Sequence, residues 1–305
     1  MRESSAEHRV KFDFEIDFSN GGGLQGQGFR LDIDGDEIDD RSLADHVVHD
    51  LRLLMVGAVR IRNKEILREP HKRGAGAPAS GKPGMDEIID LSHVIESGMI
   101  TYKGLPAPLV CDFLSREASQ RLYSPGTSFH IGRIEMVANT GTYLDSPYHR
   151  FGHGEDVSEL ALTRLAGLEA VVVNVAGMAG RAIDREVFLP FAVRGKAVLV
   201  HTGWARHWRT NDYFEGHPFL TESAARHLRD QGAVLVGIDS MNIDDVSGGE
   251  RPVHTTLLGA GIPIVEHLRN LDSVPASGAR FSAVPAKVKG MGTFPVRAYA
   301  TVART

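Results

Sequence analysis

Residues 10–18, Val-Lys-Phe-Asp-Phe-Glu-Ile-Asp-Phe, alternate apolar and polar without a break, the period-two pattern of a strand with one buried face. A second alternating run, Phe-Arg-Leu-Asp-Ile-Asp at 29–34, pairs with it as a hairpin across the Ser-Asn-Gly-Gly-Gly turn at 19–23. Leu43, Val47, Leu51 and Leu54 then recur at helical spacing behind Ser42, which is placed to serve as N-cap. Val-Arg-Ile-Arg at 59–62 returns to a strand, so residues 8–68 predict a small α+β unit of ββαβ order.

Between residues 70 and 84 the apolar pattern stops, and His-Lys-Arg-Gly-Ala-Gly-Ala-Pro-Ala-Ser-Gly-Lys-Pro-Gly cannot bury a core. The expected organisation is a small domain over 1–70, a flexible linker over 71–84 and a larger domain over 85–305. The larger domain opens with Ile-Ile-Asp-Leu at 88–91. It carries continuous apolar runs at 170–175, 197–200, 233–239 and 263–265, the pattern of strands buried on both faces. Residues 221–230 read as a helix with Ala224, Ala225 and Leu228 on one face. Further short strands around 130–137 and 281–284 make the expected fold an α/β one, with a mixed, barrel-like central sheet and surrounding helices.

Composition narrows the function classes. With 305 residues and 42% apolar content the chain has ample core, and a net charge of −5 supplies no basic face for nucleic acid or anionic lipid. Charged residues interrupt the first thirty positions, and no run approaches the roughly 18 to 20 apolar residues that span a bilayer, so neither secretion nor a membrane is expected. Cys111 is the one cysteine, so no intrachain disulfide can form, and a reducing, cytoplasmic setting is expected. Cys111 has no local His partner, and Pro125-Gly126 between Ser124 and Ser128 is not a nucleophile elbow. No Gly-rich turn follows a strand and opens a helix, so no nucleotide cofactor is expected.

The densest chemistry lies in Asn139-Thr140-Gly141-Thr142-Tyr143-Leu144-Asp145-Ser146-Pro147-Tyr148-His149. Asp145 and His149 stand four apart around Pro147, which excludes a regular helix and points to a rigid loop at the end of the strand over 131–137. The bland alternatives are a turn-capping Asp and a solvated His.

This segment resembles the signature of the cyclase family, which includes kynurenine formamidases and isatin hydrolases: His-x-Gly-Thr-His-x-Asp-x-Pro-x-His. Gly141, Thr142, Asp145, Pro147 and His149 match, whereas Asn139 and Tyr143 stand where the pattern has histidines. The similarity continues through Leu91-Ser92-His93, residues 98–104, Thr202-Gly203-Trp204, Gly237-Ile238-Asp239, residues 254–258 and residues 264–268. It spans 86–302 and leaves the ββαβ unit outside.

The resemblance implies a swivelling β/β/α type of fold and a metal-dependent hydrolase that is a homodimer or larger homo-oligomer acting on a small molecule. In two-metal members the signature histidines and the Asp hold one ion, while the Asp, a later His and a later Glu hold a second. Carried over residue by residue, Asp145, His254 and Glu266 remain as ligands for one divalent ion, zinc or manganese, with His149 as the catalytic histidine. One imidazole, two carboxylates and an open position suit such an ion. Asn139 and Tyr143 are expected to be non-ligands filling the other site, with the Tyr143 hydroxyl available to substrate as a catalytic donor. Tyr102, Asn139, Thr142 and Trp204 are the candidate substrate contacts. The implied reaction is arylformamidase-like hydrolysis of an amide or related acyl bond by metal-activated water. A metal-free acid-base cyclase or dehydratase, and a non-catalytic binding or scaffolding module, are the alternatives.

Overall fold

The computed structural model describes residues 8–19, 23–33, 35–50, 56–68 and 86–303. The chain divides into two compact units, Met1–Gly81 and Lys82–Thr305. The expected linker over 71–84 lies outside the described residues, as do Leu51 and Leu54 of the expected first helix.

In the first unit, β1 (His8–Phe18) runs between β2 (Gly23–Ile33) and β3 (Val56–Arg68), antiparallel to both. Alternation along β1 buries Val10, Phe12, Phe14 and Ile16 on one face, where Leu43 and Val47 of α1 (Asp40–Asp50) join them. The helix begins earlier than Ser42. Asp39 is the cap: its Oδ1 accepts the backbone N–H groups of Arg41 and Ser42, each at 2.9 Å. A carboxylate at that position satisfies two otherwise orphaned donors, and Ser42 falls inside the helix.

The second unit opens with β4 (Glu87–Asp90), followed by a hairpin of β5 (Leu109–Leu114) and β6 (Ile131–Glu135) flanking the short α2 (Arg116–Ser119). Next come β7 (Tyr143–Asp145), β8 (Leu168–Asn174), β9 (Ala182–Ile183), β10 (Ala197–His201), β11 (Phe219–Leu220), α3 (Glu222–Asp230) and β12 (Leu235–Ile238). The unit closes with α4 (Pro252–Gly259), β13 (Ile264–Glu266), β14 (Ser277–Ser282), β15 (Thr293–Pro295) and β16 (Tyr299–Val302). Nine strands form one curled mixed sheet in the order β15-β7-β13-β12-β10-β8-β14-β16-β4. Its centre, β8-β10-β12-β13, is parallel and its flanks are antiparallel.

The central runs are apolar throughout because both faces are covered. Val171, Val173, Val198, Val200, Val236, Ile238 and Ile264 point toward α3 and α4. Ala170, Val172, Ala197, Leu199, Leu235 and Val265 belong to the opposite core with Leu144, Phe281 and Ala300. Thr221 caps α3 by accepting the Ala224 N–H at 3.1 Å, a bond of the kind whose loss costs about 1 kcal/mol.

Two local expectations are corrected. The strand over 131–137 is not the support of the signature, because β6 pairs only with β5 in a separate two-stranded sheet. Asp145 lies on β7 itself, inside the large sheet, and a single 3-10 turn, Pro147–His149, carries the histidine. Gly141 supplies the left-handed turn before β7, with φ +69°.

Candidate active site

Four side chains converge because strand parity and register place them together. Tyr143 and Asp145 lie two apart on β7 and share a face, with Leu144 buried on the other. In the antiparallel ladder Tyr143 stands opposite Glu266 of β13, and Asp145 stands opposite Thr293 of β15. From α4, which covers that face, His254 reaches the same place. Its Nε2 lies 3.7 Å from Asp145 Oδ2 and 3.7 Å from Glu266 Oε1.

Each of these groups is held by a further contact. His254 Nδ1 lies 2.6 Å from Asp244 Oδ2, and the same carboxylate accepts the N–H groups of Val253 at 2.8 Å and His254 at 3.0 Å. Asp244 therefore caps α4 and orients its histidine at once. With Nδ1–H given to Asp244, Nε2 is the nitrogen left for a ligand. Burial opposes a charge on His254, but hydrogen bonds to Asp145 and Asp244 and the charge of Glu266 prevail and push its pKa up to about 10.

Glu266 is fully enclosed, and burial raises its pKa to about 7 against the pull of His254. Its Oε1 accepts the Ile243 N–H at 2.7 Å and its Oε2 accepts the Tyr143 O–H at 2.7 Å. Burial also pushes against Asp145, yet His149, His254 and Thr293 outweigh it and hold this carboxyl below its ordinary value. One oxygen of Asp145 accepts a hydrogen bond from the Thr293 hydroxyl; the other, Oδ2, is buried with no hydrogen-bond partner.

The Thr293 contact fixes the state of His149. Having given its one proton to Asp145, Thr293 Oγ1 must accept from His149 Nδ1, 2.8 Å away. His149 then donates from Nδ1, and Nε2 is the nitrogen left for chemistry. Gly292 makes this approach possible, since a Cβ there would lie 2.6 Å from the backbone N and Cα of His149.

Tyr143 fills its site by a directed chain. Its proton goes to Glu266, so its oxygen accepts from His267 Nε2 at 3.2 Å, and His267 Nδ1 accepts from Tyr213 O–H at 2.8 Å. Both phenols and the imidazole are neutral. Burial raises both tyrosines well above their ordinary value and lowers His267 to about 3.

A cavity of about 300 Å³ opens over this floor, bordered by Tyr102, Asn139, Tyr143, His149, His254 and Glu266. Arg150, Arg251, Leu105 and Asn242 complete its wall. Thr142 and Trp204, expected as substrate contacts, do not border it. The Thr142 hydroxyl donates to the His267 carbonyl at 2.6 Å and accepts the His93 N–H at 3.0 Å, while Trp204 Nε1 donates to the Tyr213 carbonyl at 3.0 Å. Tyr143 borders the cavity but has already spent its proton on Glu266.

The donor set fits a divalent ion. A buried carboxylate oxygen lacks a partner, and a neutral His254 would offer Nε2 beside it. Separations of 3.7 Å suit two ligand atoms each roughly 2 Å from a shared ion. Among the described residues, Asp145, His149 and His254 form a group whose donor atoms all lie within 4.8 Å of one another. Glu266 approaches the same His254 nitrogen from another side.

Sequence reasoning missed Asp244, Thr293 and the role of Tyr213. Asp244 lies ten residues before His254, and Thr293 lies 148 residues beyond Asp145, so no local pattern signals either contact.

Residues 89–245 match the family model described as "Putative cyclase". A kynurenine formamidase of Geobacillus thermodenitrificans (strain NG80-2) is 30% identical over 174 residues, covering 56% of this chain and 79% of the relative. A solved structure described as a predicted metal-dependent hydrolase from Bacillus stearothermophilus is 27% identical, with a TM-score of 0.58 over 71% of this chain and 98% of that one. Isatin hydrolase A from Labrenzia aggregata, bound to benzyl benzoate, shares the fold at a TM-score of 0.63 and 23% identity, over 72% of this chain and 95% of that one. The match starts in β4, so the ββαβ unit lies outside it, and from there onward the chain belongs to the cyclase family.

Proposed function

We propose that this chain is a one-metal amide hydrolase, arylformamidase-like, in which Asp145, His254 and Glu266 hold the ion and His149 is the general base. The observation that carries the reading is the buried Oδ2 of Asp145, which has no hydrogen-bond partner and lies 3.7 Å from His254 Nε2. Relatives described as kynurenine formamidase and as metal-dependent hydrolase support an amide substrate and a divalent ion, for which zinc and manganese suit this donor set.

A bound divalent ion supplies polarisation of the amide carbonyl and a more acidic water. The chain's own residues do the rest. His149 Nε2 takes a proton from the attacking water, and Thr293 carries the stabilising charge of Asp145 to the imidazolium that forms. The same proton then passes to the departing amine. Tyr143 and Ile243 keep Glu266 oriented. Asn139 and Tyr102 on the cavity wall are assigned to substrate contact.

No helix among the described residues is long and apolar enough to cross a membrane. The β5-β6 hairpin leaves Leu109, Val110, Phe113, Ile131 and Ile134 exposed over its two faces, apolar area that a second copy would cover, which supports a homo-oligomer. The single cysteine and lack of disulfides suit the cytoplasm.

The deciding experiment strips the protein with chelator, restores zinc or manganese, and follows aryl formamide hydrolysis. Activity should vanish and return with the ion. Glu266→Gln should lose the ion, whereas His149→Gln should keep it and lose turnover; the reverse pattern would move His149 into the ligand set. Chelator-insensitive turnover would overturn the metal reading in favour of metal-free acid-base chemistry on His149, Thr293 and Asp145.

A further inference from the structure

The cavity over the ion site carries two cations that the hydrolytic reading does not use. Arg150 and Arg251 border it, and both also border a larger groove of about 730 Å³ beside α3 and α4. They stand where the reaction cavity meets the open surface.

Both guanidiniums are anchored by neutral partners. Arg251 Nη1 donates to the carbonyls of Gly248 at 2.9 Å and Glu250 at 2.6 Å. Arg150 Nε donates to the Thr255 hydroxyl at 3.2 Å, and Thr255 donates in turn to the Arg251 carbonyl at 2.7 Å, so one small network positions the pair. Among the described residues neither guanidinium has a carboxylate oxygen within 4.0 Å. Arg226 and Arg229, farther along the groove, are paired with Glu222 and Asp230. An arginine held by carbonyls and a hydroxyl keeps its full charge, and its remaining N–H donors, for a ligand.

The charge balance of the cavity points the same way. Glu266 borders it, and Asp145 and Asp244 approach the bordering His254 from outside the cavity; these carboxylates by themselves would repel an anion. A divalent ion offsets two of those charges, and the two guanidiniums then tip the loaded cavity toward positive. A volume of about 300 Å³ accommodates a ring-sized body between the ion and the arginines.

We propose that Arg150 and Arg251 bind a carboxylate on the substrate, remote from the bond that is cleaved, so that the substrate class is a carboxylate-bearing amide. This rests on the hydrolase reading of the same cavity. Arginine forks match a planar carboxylate in two-point contact, and this recognition fixes which end of the substrate faces His149.

The test compares 3-formamidobenzoate with its neutral isostere 3-formamidobenzamide on the zinc-loaded protein. Wild type should favour the carboxylate by about tenfold or more in kcat/KM, chiefly through KM. Arg150→Gln and Arg251→Gln should each bring that ratio to within about threefold of unity, with Arg→Lys intermediate. A ratio near one in wild type, or a preference that survives both Gln variants, overturns the proposal. If neither formamide is turned over, the hydrolase reading fails by itself, and titration calorimetry with 3-aminobenzoate and 3-aminobenzamide still decides the anion site. Preferential carboxylate binding that both Gln variants lose supports it, and equal binding of the two compounds overturns it.

Discussion

Thr293 and Asp145 face each other across the β7-β15 ladder, and the threonine hydroxyl hydrogen-bonds the carboxylate while accepting from His149 Nδ1 at 2.8 Å. A neutral side chain thus stands between a buried charge and the base it steadies.

Thr293→Val keeps the volume and removes the bridge. Turnover should fall by about 10²-fold, the range expected of a mispositioned general base, while ion content stays near that of wild type. Steady-state kinetics with elemental analysis checks this; unchanged kcat would remove Thr293 from the mechanism.

Ion binding should release protons. The His254 pKa of about 10 means that the imidazole is charged at neutral pH before an ion arrives, and coordination requires it neutral. Calorimetry in buffers of different ionisation enthalpy should show about one proton or more released per ion between pH 7 and 9, with affinity rising toward higher pH. Asp244→Asn, which loses the carboxylate behind His254, should weaken the ion by about 10- to 100-fold.

Tyr143→Phe removes the proton that Glu266 accepts and the oxygen that His267 donates to. Leaving buried groups unpaired costs about 1–3 kcal/mol, visible as a lowered melting temperature. Asn139→His combined with Tyr143→His restores the family signature, and elemental analysis should then find a second ion per chain.

Much of the fold was legible in the sequence. Period-two alternation located β1, and unbroken apolar runs located β8, β10 and β12, because burial on one or two faces writes itself directly into residue type. The helix α4 was not legible: Pro252-Val-His-Thr-Thr-Leu-Leu-Gly is short, and its polar positions at 254–256 blur the helical stripe. Asp145, His254 and Glu266 were singled out through family spacing, and the fold brings their side chains together. The partners that orient them were not, because the contacts of Asp145 with Thr293 and of Tyr143 with Glu266 arise from strand pairing across 148 and 123 positions.

Acid should destabilise the fold through His267. Burial, with a further push from His93, lowers its pKa to about 3, against about 6.5 in an unfolded chain. Between those values the unfolded chain binds a proton that the folded one refuses. The stabilisation is therefore complete above pH 6.5 and lost as pH falls toward 3, at about 1.4 kcal/mol per pH unit for the group. Glu266 and His93 also titrate differently in the folded and unfolded chain, so the His267 slope is read as a difference: His267→Asn, suited to the left-handed backbone at φ +57°, should remove it from denaturant unfolding followed between pH 7 and 4.

The exposed hairpin predicts self-association. Light scattering should give a mass above one chain, and Phe113→Lys, at a position 74% exposed, should shift it toward the monomer without lowering the melting temperature of the monomer.

The three-residue strand β7 also sets which changes in length the protein tolerates. Its odd positions carry the chemistry and its even position feeds the opposite core, so deleting or adding one residue would exchange Leu144 with a functional neighbour and turn a carboxylate into the apolar layer. Substitutions such as Asn139 and Tyr143 leave that parity intact. A change of residue type in this segment therefore leaves each neighbouring side chain on its own face, whereas a change of length moves them all across the sheet.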